Sequence, residues 1–377
     1  MGAVNAAVEE RSVVVVGAGV LGVASALALA RRGVGVRLLT AGQPADGASG
    51  RSLAWLNSAA ERSAAYHALR MAGLQRYRRL AADCGGSAVH LDGALNWAAP
   101  GESYRARHDH EQRIGYPSRW VDARFVADRV PGVDPAMLPA EGAILNPSDG
   151  WVDLPMLITT LLARFADLGG EVITEAGECR VELSGGRTVG VITGTGRRIG
   201  ADAVLLAAGA ATPGMAADLG FALPDQTSIA ALARVRPVDG PTDLQVVLNT
   251  PAVSVRPTVD GGLVMDSGWS EREVVRLADG SHRVERSTLD RLLDEARAVL
   301  AGHPRLQLLG VGHGPKPIPG DGEPVLGPLP GVDGCWVAFS HSGATLGLIV
   351  GELLAAEIAG ADPDPLLADF RPSRFEA

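Results

Sequence analysis

Three glycines follow a run of four valines: Val13–Val16, then Gly17-Ala18-Gly19-Val20-Leu21-Gly22. This spacing suits phosphate binding, and it needs no reactive side chain. Gly17 permits a tight bend after a buried strand. Gly19 lets the backbone approach a pyrophosphate, and Gly22 lets the next helix pack on the strand. That helix turns its free N–H groups and the positive end of its dipole toward the phosphates. Other chemistry-bearing residues are few. Lys316 is the only lysine among 34 basic residues. A coding bias toward arginine accounts for the rest. The surviving ammonium either stands where a planar guanidinium would not serve or is a chance survivor on the surface. His341 lies in Phe339-Ser340-His341-Ser342-Gly343, and Arg256 is expected to share one strand face with Ser254 and Thr258.

These residues need elements to position them. Val23–Arg32, rich in alanine and leucine, is predicted as a helix closed by Gly33, and Val34–Leu39 as a second strand. Strand, glycine turn, helix, strand is the context a dinucleotide turn requires. The uncharged stretch Val13–Ala30 is as long as a short membrane span, but its glycines and consecutive valines fit strand–turn–helix better. The leader Met1–Arg11 lacks the basic start of a signal peptide. Further helices are predicted over Ser63–Ala82, Trp151–Leu168, Ser287–Leu300 and Ala344–Ile358. Strands are predicted over Gly93–Trp97, Glu171–Thr174, Cys179–Leu183, Ala201–Ala208, Ala230–Arg236, Gln245–Leu248 and Cys335–Phe339. Ala252–Met265 reads as strand interrupted at Asp260-Gly261-Gly262, while Gly185-Gly186 and Gly194-Thr195-Gly196 read as hairpin turns. Pro100–Pro139, polar and broken by prolines, is expected outside the main sheet. The pattern predicts an α/β protein, α+β overall, with a Rossmann-like domain and an inserted antiparallel-sheet domain. The expected boundaries are 1–82, 142–225 and 310–377 for a discontinuous cofactor domain, and 83–141 and 226–309 for a substrate domain.

Composition narrows the classes. The 377 residues are 46% hydrophobic and 20% charged, which describes a soluble globular chain. The formal net charge of −9 gives no reason to expect nucleic acid. Cys84, Cys179 and Cys335 are too far apart for a disulfide framework or a zinc pattern, so no metal and a cytoplasmic location are expected.

Near the C-terminus, Lys316-Pro317-Ile318-Pro319-Gly320-Asp321-Gly322-Glu323-Pro324-Val325-Leu326-Gly327 resembles the Arg-Pro-x-x-x-Asp-Gly-x-Pro-x-x-Gly signature of the D-amino acid oxidase superfamily. Phe339–Leu346 is similar to that family's His-Ser-Gly turn. Gly47-Ala48-Ser49-Gly50-Arg51-Ser52 is similar to its small-residue segment, and Leu205–Ala210 to its strand and glycine turn. Phe370-Arg371-Pro372-Ser373-Arg374-Phe375 also fits, so the resemblance spans almost the whole chain in family order. It implies non-covalent FAD. The residues it places near the cofactor are Gly17, Gly19, Val20, Leu21, Gly22, Thr40, Ser49, Arg51, Ser52, Val181, Ala208, Gly209, Gly343, Ala344, Thr345 and Leu346. Two positions depart from the pattern. Thr40 stands where an acid usually binds the adenosine ribose, and Lys316 where relatives usually carry Arg.

The resemblance implies a glycine-oxidase-like reaction. A hydride passes from the α-carbon of glycine or an N-substituted glycine to flavin N5, and water hydrolyses the imine to glyoxylate and an amine. Oxygen then yields hydrogen peroxide. A specialised-metabolite substrate is compatible with this. The expected catalytic residues are Lys316, Arg256 and His341, with Lys316, Arg256 and Arg51 as cations for the substrate carboxylate. Lys316 could instead favour superoxide formation during reoxidation. Trp55 and Tyr66 are candidate pocket walls, with core packing as the alternative. The competing readings are a dehydrogenase of the same fold using another acceptor, a flavin-binding module without turnover, and an NAD-only dehydrogenase. The last leaves the His-Ser-Gly segment unexplained.

Overall fold

Four consecutive β-branched residues make a strand that is comfortable only when both faces are covered. In the computed structural model, which describes residues 12–84 and 88–376, Ser12–Val16 runs through the middle of a six-stranded sheet. The order is Val325–Pro328, Cys335–Phe339, Ala203–Leu206, Ser12–Val16, Gly35–Leu39, Glu171–Ile173, parallel except for the outer pair Val325–Pro328 and Cys335–Phe339. Period-two alternation splits the core. Val13, Val15, Leu38 and Leu205 pack toward the helices, while Val14, Val16, Leu39 and Leu206 face the other way, with Val191 and Ile199 of a three-stranded sheet.

The glycine-turn helix is Val20–Ala30, three residues earlier than predicted at its start, because Gly19 takes the N-cap position. It lies against the C-terminal helix Gly343–Ile358 at close range. A Cβ on Gly347 would stand 2.6 Å from Val20 Cγ2, and one on Gly351 2.7 Å from the Ala24 carbonyl carbon. The helix Ala64–Cys84 closes on the same C-terminal helix through Gly73, where a Cβ would meet the Thr345 oxygen at 2.2 Å. Small residues therefore fix where the two helix N-termini converge.

The second sheet has eight strands, in the order Leu306–Lys316, Ser228–Pro237, Leu263–Asp266, Ser254–Pro257, Val247–Asn249, Ala94–Asn96, Ala143–Asn146, Arg119–Val121. It is antiparallel apart from the parallel pair Ala94–Asn96 and Val247–Asn249. The helix Arg286–Val299 covers one face through Leu292, Ala296 and Val299.

Some elements differ from the expected ones. Trp151–Leu168 is a strand, Gly150–Val152, followed by the helix Leu154–Asp167. Asp153 separates them by capping the helix, its carboxylate accepting from Met156 N–H at 2.9 Å. Leu306–Lys316 is an 11-residue strand that glycines at 310, 312 and 314 hide from any apolar alternation. Pro100–Pro139 stays out of the six-stranded sheet but supplies Arg119–Val121 to the edge of the eight-stranded one. Ala143–Asn146 and Leu306–Lys316 both belong to the eight-stranded sheet. Among the described residues no helix is long and apolar enough to cross a membrane. The leader Met1–Arg11 lies outside the described residues.

Candidate functional site

The parallel strands Gly35–Leu39, Ala203–Leu206 and Cys335–Phe339 end at one edge of the six-stranded sheet. The residues that follow them, Thr40, Ala207 and Ser340, line a cavity of about 1570 Å³. Open α/β sheets bind ligands beyond the carboxyl ends of their strands. The volume exceeds the range of about 300–1,000 Å³ usual for a single small ligand, leaving room for a dinucleotide and a substrate together.

The glycine turn forms one wall. Gly17 has φ +111°, and a Cβ there would stand 2.3 Å from the Ala207 carbonyl oxygen. A Cβ on Gly22 would lie 1.8 Å from the Gly17 oxygen. Gly22 therefore shapes the turn from behind and does not line the cavity. Ser49 Oγ accepts a hydrogen bond from Val20 N–H at 3.1 Å, which sets the small-residue segment beside the helix N-terminus. Arg51 crosses from there toward the eight-stranded sheet. A Cβ on Gly312 would meet its Cγ at 2.8 Å, so that strand must be bare at this point.

Of the residues expected near the cofactor, Gly17, Gly19, Val20, Leu21, Thr40, Ser49, Arg51, Ser52, Val181, Ala208, Gly209, Gly343, Ala344 and Thr345 line this one cavity. Leu346 is fully buried in the core instead. Two helix N-termini, at Val20 and Gly343, border the space, and the bare glycine edge leaves backbone exposed to it. These features fit the pyrophosphate and ring system of FAD. Thr40 is buried at the end of Gly35–Leu39. Asp46 lines the same cavity, but one of its oxygens already accepts from Gln43 N–H. Cys179 and Cys335 are buried free thiols. Burial pushes Cys335 up to about 12, which opposes the thiolate a covalent bond would require.

Past the C-terminal glycine turn the lining becomes charged. Lys316 lines the cavity, but its ammonium lies 2.5 Å from Glu271 Oε2 on the short helix Gly268–Arg272. It is therefore half of an ion pair. Arg256 is buried outside the large cavity, donating to the carbonyls of Leu53 and Pro257, with its guanidinium 4.6 Å from the centre of the Trp151 ring. Ser254 reaches the large cavity, while Arg256, on the same strand, lines a smaller one with Thr258. His341 faces the cavity. Burial, then Lys316, Arg70 and Arg62, push its imidazole down to about 4, so it stands neutral at neutral pH. Trp55 lines the cavity; Tyr66 is buried, with its hydroxyl 2.5 Å from Ser342 Oγ.

Several lining residues escaped the sequence reading. Arg62 and Arg70 stand over the Tyr66 ring, each 5.4 Å from its centroid. Arg70 is spent on Asn57 and Ser342. Arg62 keeps a buried Nε with no hydrogen-bond partner among the described residues, and burial and Arg70 lower it to about 10. Asp266 and Glu271 supply carboxyls. Burial, reinforced by Glu271, pushes Asp266 up to about 7. Nothing in their local sequence marks these four: Arg62 and Arg70 come from the loop before Ala64–Cys84 and from that helix, Asp266 and Glu271 from a strand end and the short helix after it, far away in the chain.

Comparison with known proteins agrees with the geometry. Residues 12–357 match the family model described as FAD dependent oxidoreductase, DAO. Glycine oxidase of Pseudomonas aeruginosa is 30% identical over 391 residues, spanning 96% of this chain and 98% of that protein. Among solved structures, glycine oxidase from Geobacillus kaustophilus superposes with a TM-score of 0.82 at 22% identity, over 97% of this chain and all of that one. L-amino acid deaminase from Proteus myxofaciens, in complex with anthranilate, gives 0.83 at 18% identity, over 100% and 96%. With its glycine turn, its two helix N-termini and its cavity at the strand ends, the chain belongs to the DAO family of FAD-dependent oxidoreductases.

Proposed function

We propose that the protein is an amine oxidase of the glycine-oxidase type, oxidising the C–N bond of glycine or an N-substituted glycine and releasing glyoxylate and an amine. The observation that carries the reading is the pairing of opposite charges at one end of the cavity. Arg62 and the Asp266, Glu271 and Lys316 group all line it. An amino acid has the same two ends. Arg62 takes the substrate carboxylate in place of Lys316, whose charge Glu271 already offsets. Neutral His341 sits among Lys316, Arg70 and Arg62 and adds no further positive charge. Trp55 lines the cavity and is the candidate wall for the substrate.

FAD, when bound, supplies the two-electron acceptor. The glycine edge and helix N-termini hold it non-covalently, and oxygen is the final acceptor, giving hydrogen peroxide. A cytoplasmic location accords with the free thiols of Cys179 and Cys335. A panel of amino acids and N-alkyl glycines, added anaerobically to the yellow protein, tests the substrate class. Bleaching is expected with glycine and its N-alkyl derivatives, while a flavin bleached by none of them sinks the reading. Admitting air should restore the colour with stoichiometric peroxide. Reoxidation only by an added dye would make the protein a dehydrogenase. Acid precipitation should release the colour into the supernatant.

A further inference from the structure

The aromatic wall of the cavity is tied to a buried acid behind it. Trp55 is the only indole, phenol or phenyl ring among the described residues that line the cavity. Its backbone belongs to the short strand Trp55–Leu56, where it pairs in register with Trp151. Its carbonyl accepts from Asn57 Nδ2 at 3.2 Å and from Thr345 Oγ1 at 3.4 Å. The ring packs against the small cluster of Ala94, Trp151 and Val247. Its indole N–H donates to Asp149 Oδ2 at 3.0 Å.

An acid is a costly residue in this place. Asp149 is fully buried, and its side-chain hydrogen bonds come from two neutral donors, the Trp55 indole on Oδ2 and the Tyr116 hydroxyl on Oδ1. The charged groups facing it are Glu111 and Arg107, which pair with each other at 2.9 Å. Burial pushes the Asp149 carboxyl up to about 7. The two donors differ in kind. A phenol hydroxyl donates or accepts, whereas an indole only donates. Whichever way Asp149 ionises, Oδ2 accepts from Trp55, and Tyr116 takes up the difference on the other oxygen. Packing alone leaves an indole free to turn over about χ2, and a bond to one edge selects one orientation.

We propose that Asp149 is a positioning residue that holds the Trp55 ring as the apolar face for the substrate's N-substituent, so that the site prefers an N-alkyl glycine to glycine itself. The substituent rests on the proposed function; the hold of Asp149 on Trp55 does not. The charged and titratable part of the lining is Arg62, Asp266, Glu271, Lys316 and His341. Those groups suit a carboxylate and a nitrogen, and they offer an alkyl group no flat apolar surface. The indole does. A ring already held in one orientation covers the alkyl group without a further loss of side-chain freedom. Asp149, fully buried behind the ring, acts on the substrate only through Trp55.

The hold is tested without substrate, by nuclear magnetic resonance of the FAD-loaded full chain carrying 15N-labelled tryptophan. The 6 tryptophans give as many indole N–H resonances, and Trp55→Phe identifies its own by removing it. In the unsubstituted protein that N–H should exchange with solvent roughly 100-fold more slowly than a free indole, and Asp149→Ala should shift it and speed its exchange. Exchange at the free rate in the unsubstituted protein overturns the hold. The substituent is read from kcat/KM for N-ethylglycine divided by that for glycine. Asp149→Ala should lower this ratio roughly 10-fold, chiefly through KM for N-ethylglycine. Trp55→Phe already lacks the N–H, so adding Asp149→Ala to it should lower the ratio no further. Tyr116→Phe disturbs the same buried cluster but spares the Trp55 bond, and should keep the ratio. Equal losses in Tyr116→Phe and Asp149→Ala, or a further loss in the double variant, overturn the positioning role. If Asp149→Ala does not fold, the exchange rate in the unsubstituted protein and the ratio in Tyr116→Phe decide it. A slowly exchanging indole with a ratio that Asp149→Ala leaves unmoved overturns the assignment of the substituent. A protein that no amine bleaches fails the functional reading and the substituent with it, while the indole resonance decides the hold by itself.

Discussion

The two ends of the cavity are built from different materials. At the six-stranded sheet the contacts are backbone: bare glycines, two helix N-termini and a serine hydroxyl at 3.1 Å from Val20 N–H. Toward the eight-stranded sheet side chains take over: the Lys316–Glu271 ion pair and the raised Asp266 carboxyl come from that sheet and the short helix after it, and with them line the cavity the depressed His341 imidazole, from the turn after Cys335–Phe339, and Arg62, from the loop before Ala64–Cys84. A backbone site binds through geometry that side-chain substitution alters only by steric intrusion. A side-chain site is tuned by each charge in turn. The first end suits a constant ligand, the second a selected one.

Adding a methyl group to the backbone end should have the largest effect. Gly22→Ala places a Cβ 1.8 Å from the Gly17 oxygen, with no flexible side chain to yield. The turn must open, at a cost on the order of 3 kcal/mol, and FAD retention after gel filtration should be lost. Full retention with an unchanged Tm would mean that the backbone end is more forgiving than the geometry says.

At the side-chain end the expected effects are smaller and selective. Arg62→Met removes the proposed partner of the substrate carboxylate and should raise KM roughly 100-fold, with little change in bleaching rate at saturation. A fall confined to kcat would move Arg62 from binding to chemistry. Lys316→Met leaves Glu271 unpaired beside Asp266 and should reduce kcat/KM on the order of 10-fold. Lys316→Met combined with Glu271→Gln should recover part of that loss, because the orphaned charge is gone. Additive losses in that cycle would restore Lys316 as an independent cation.

The same contrast governs what the sequence discloses. The glycine turn is legible because a backbone site needs residues at fixed short spacing, and a Cβ at Gly17 would stand 2.3 Å from the Ala207 oxygen, which leaves only glycine. Val13–Val16 is legible as strand because burial on both faces leaves no polar alternation. Arg62, Asp266 and Glu271 are illegible for the opposite reason. Each is an ordinary charged residue in its own segment, and only the packing of the sheet against the helices brings them to one cavity. Lys316 shows the midpoint: its rarity marked it, but its partner Glu271 is 45 residues away. Arg256 misled because its strand alternation was read correctly while the cavity proved to be two.

The smallest effect concerns His341, and its sign separates the two ends once more. Burial and the cations Lys316, Arg70 and Arg62 hold it at about 4, against 6.5 in the unfolded chain. Between those values the unfolded state binds a proton that the folded state refuses, so stability rises with pH. The contribution is complete above about pH 6.5 and is lost as pH falls toward 4. His341→Gln should therefore flatten the dependence of Tm on pH in that window and leave Tm above pH 7 nearly unchanged. The glycine turn itself carries no ionisable side chain, so FAD retention in the same variant should show no new pH dependence. A loss of FAD that tracks pH in His341→Gln would mean that the imidazole serves the cofactor end, and that the division between backbone and side-chain halves is drawn in the wrong place.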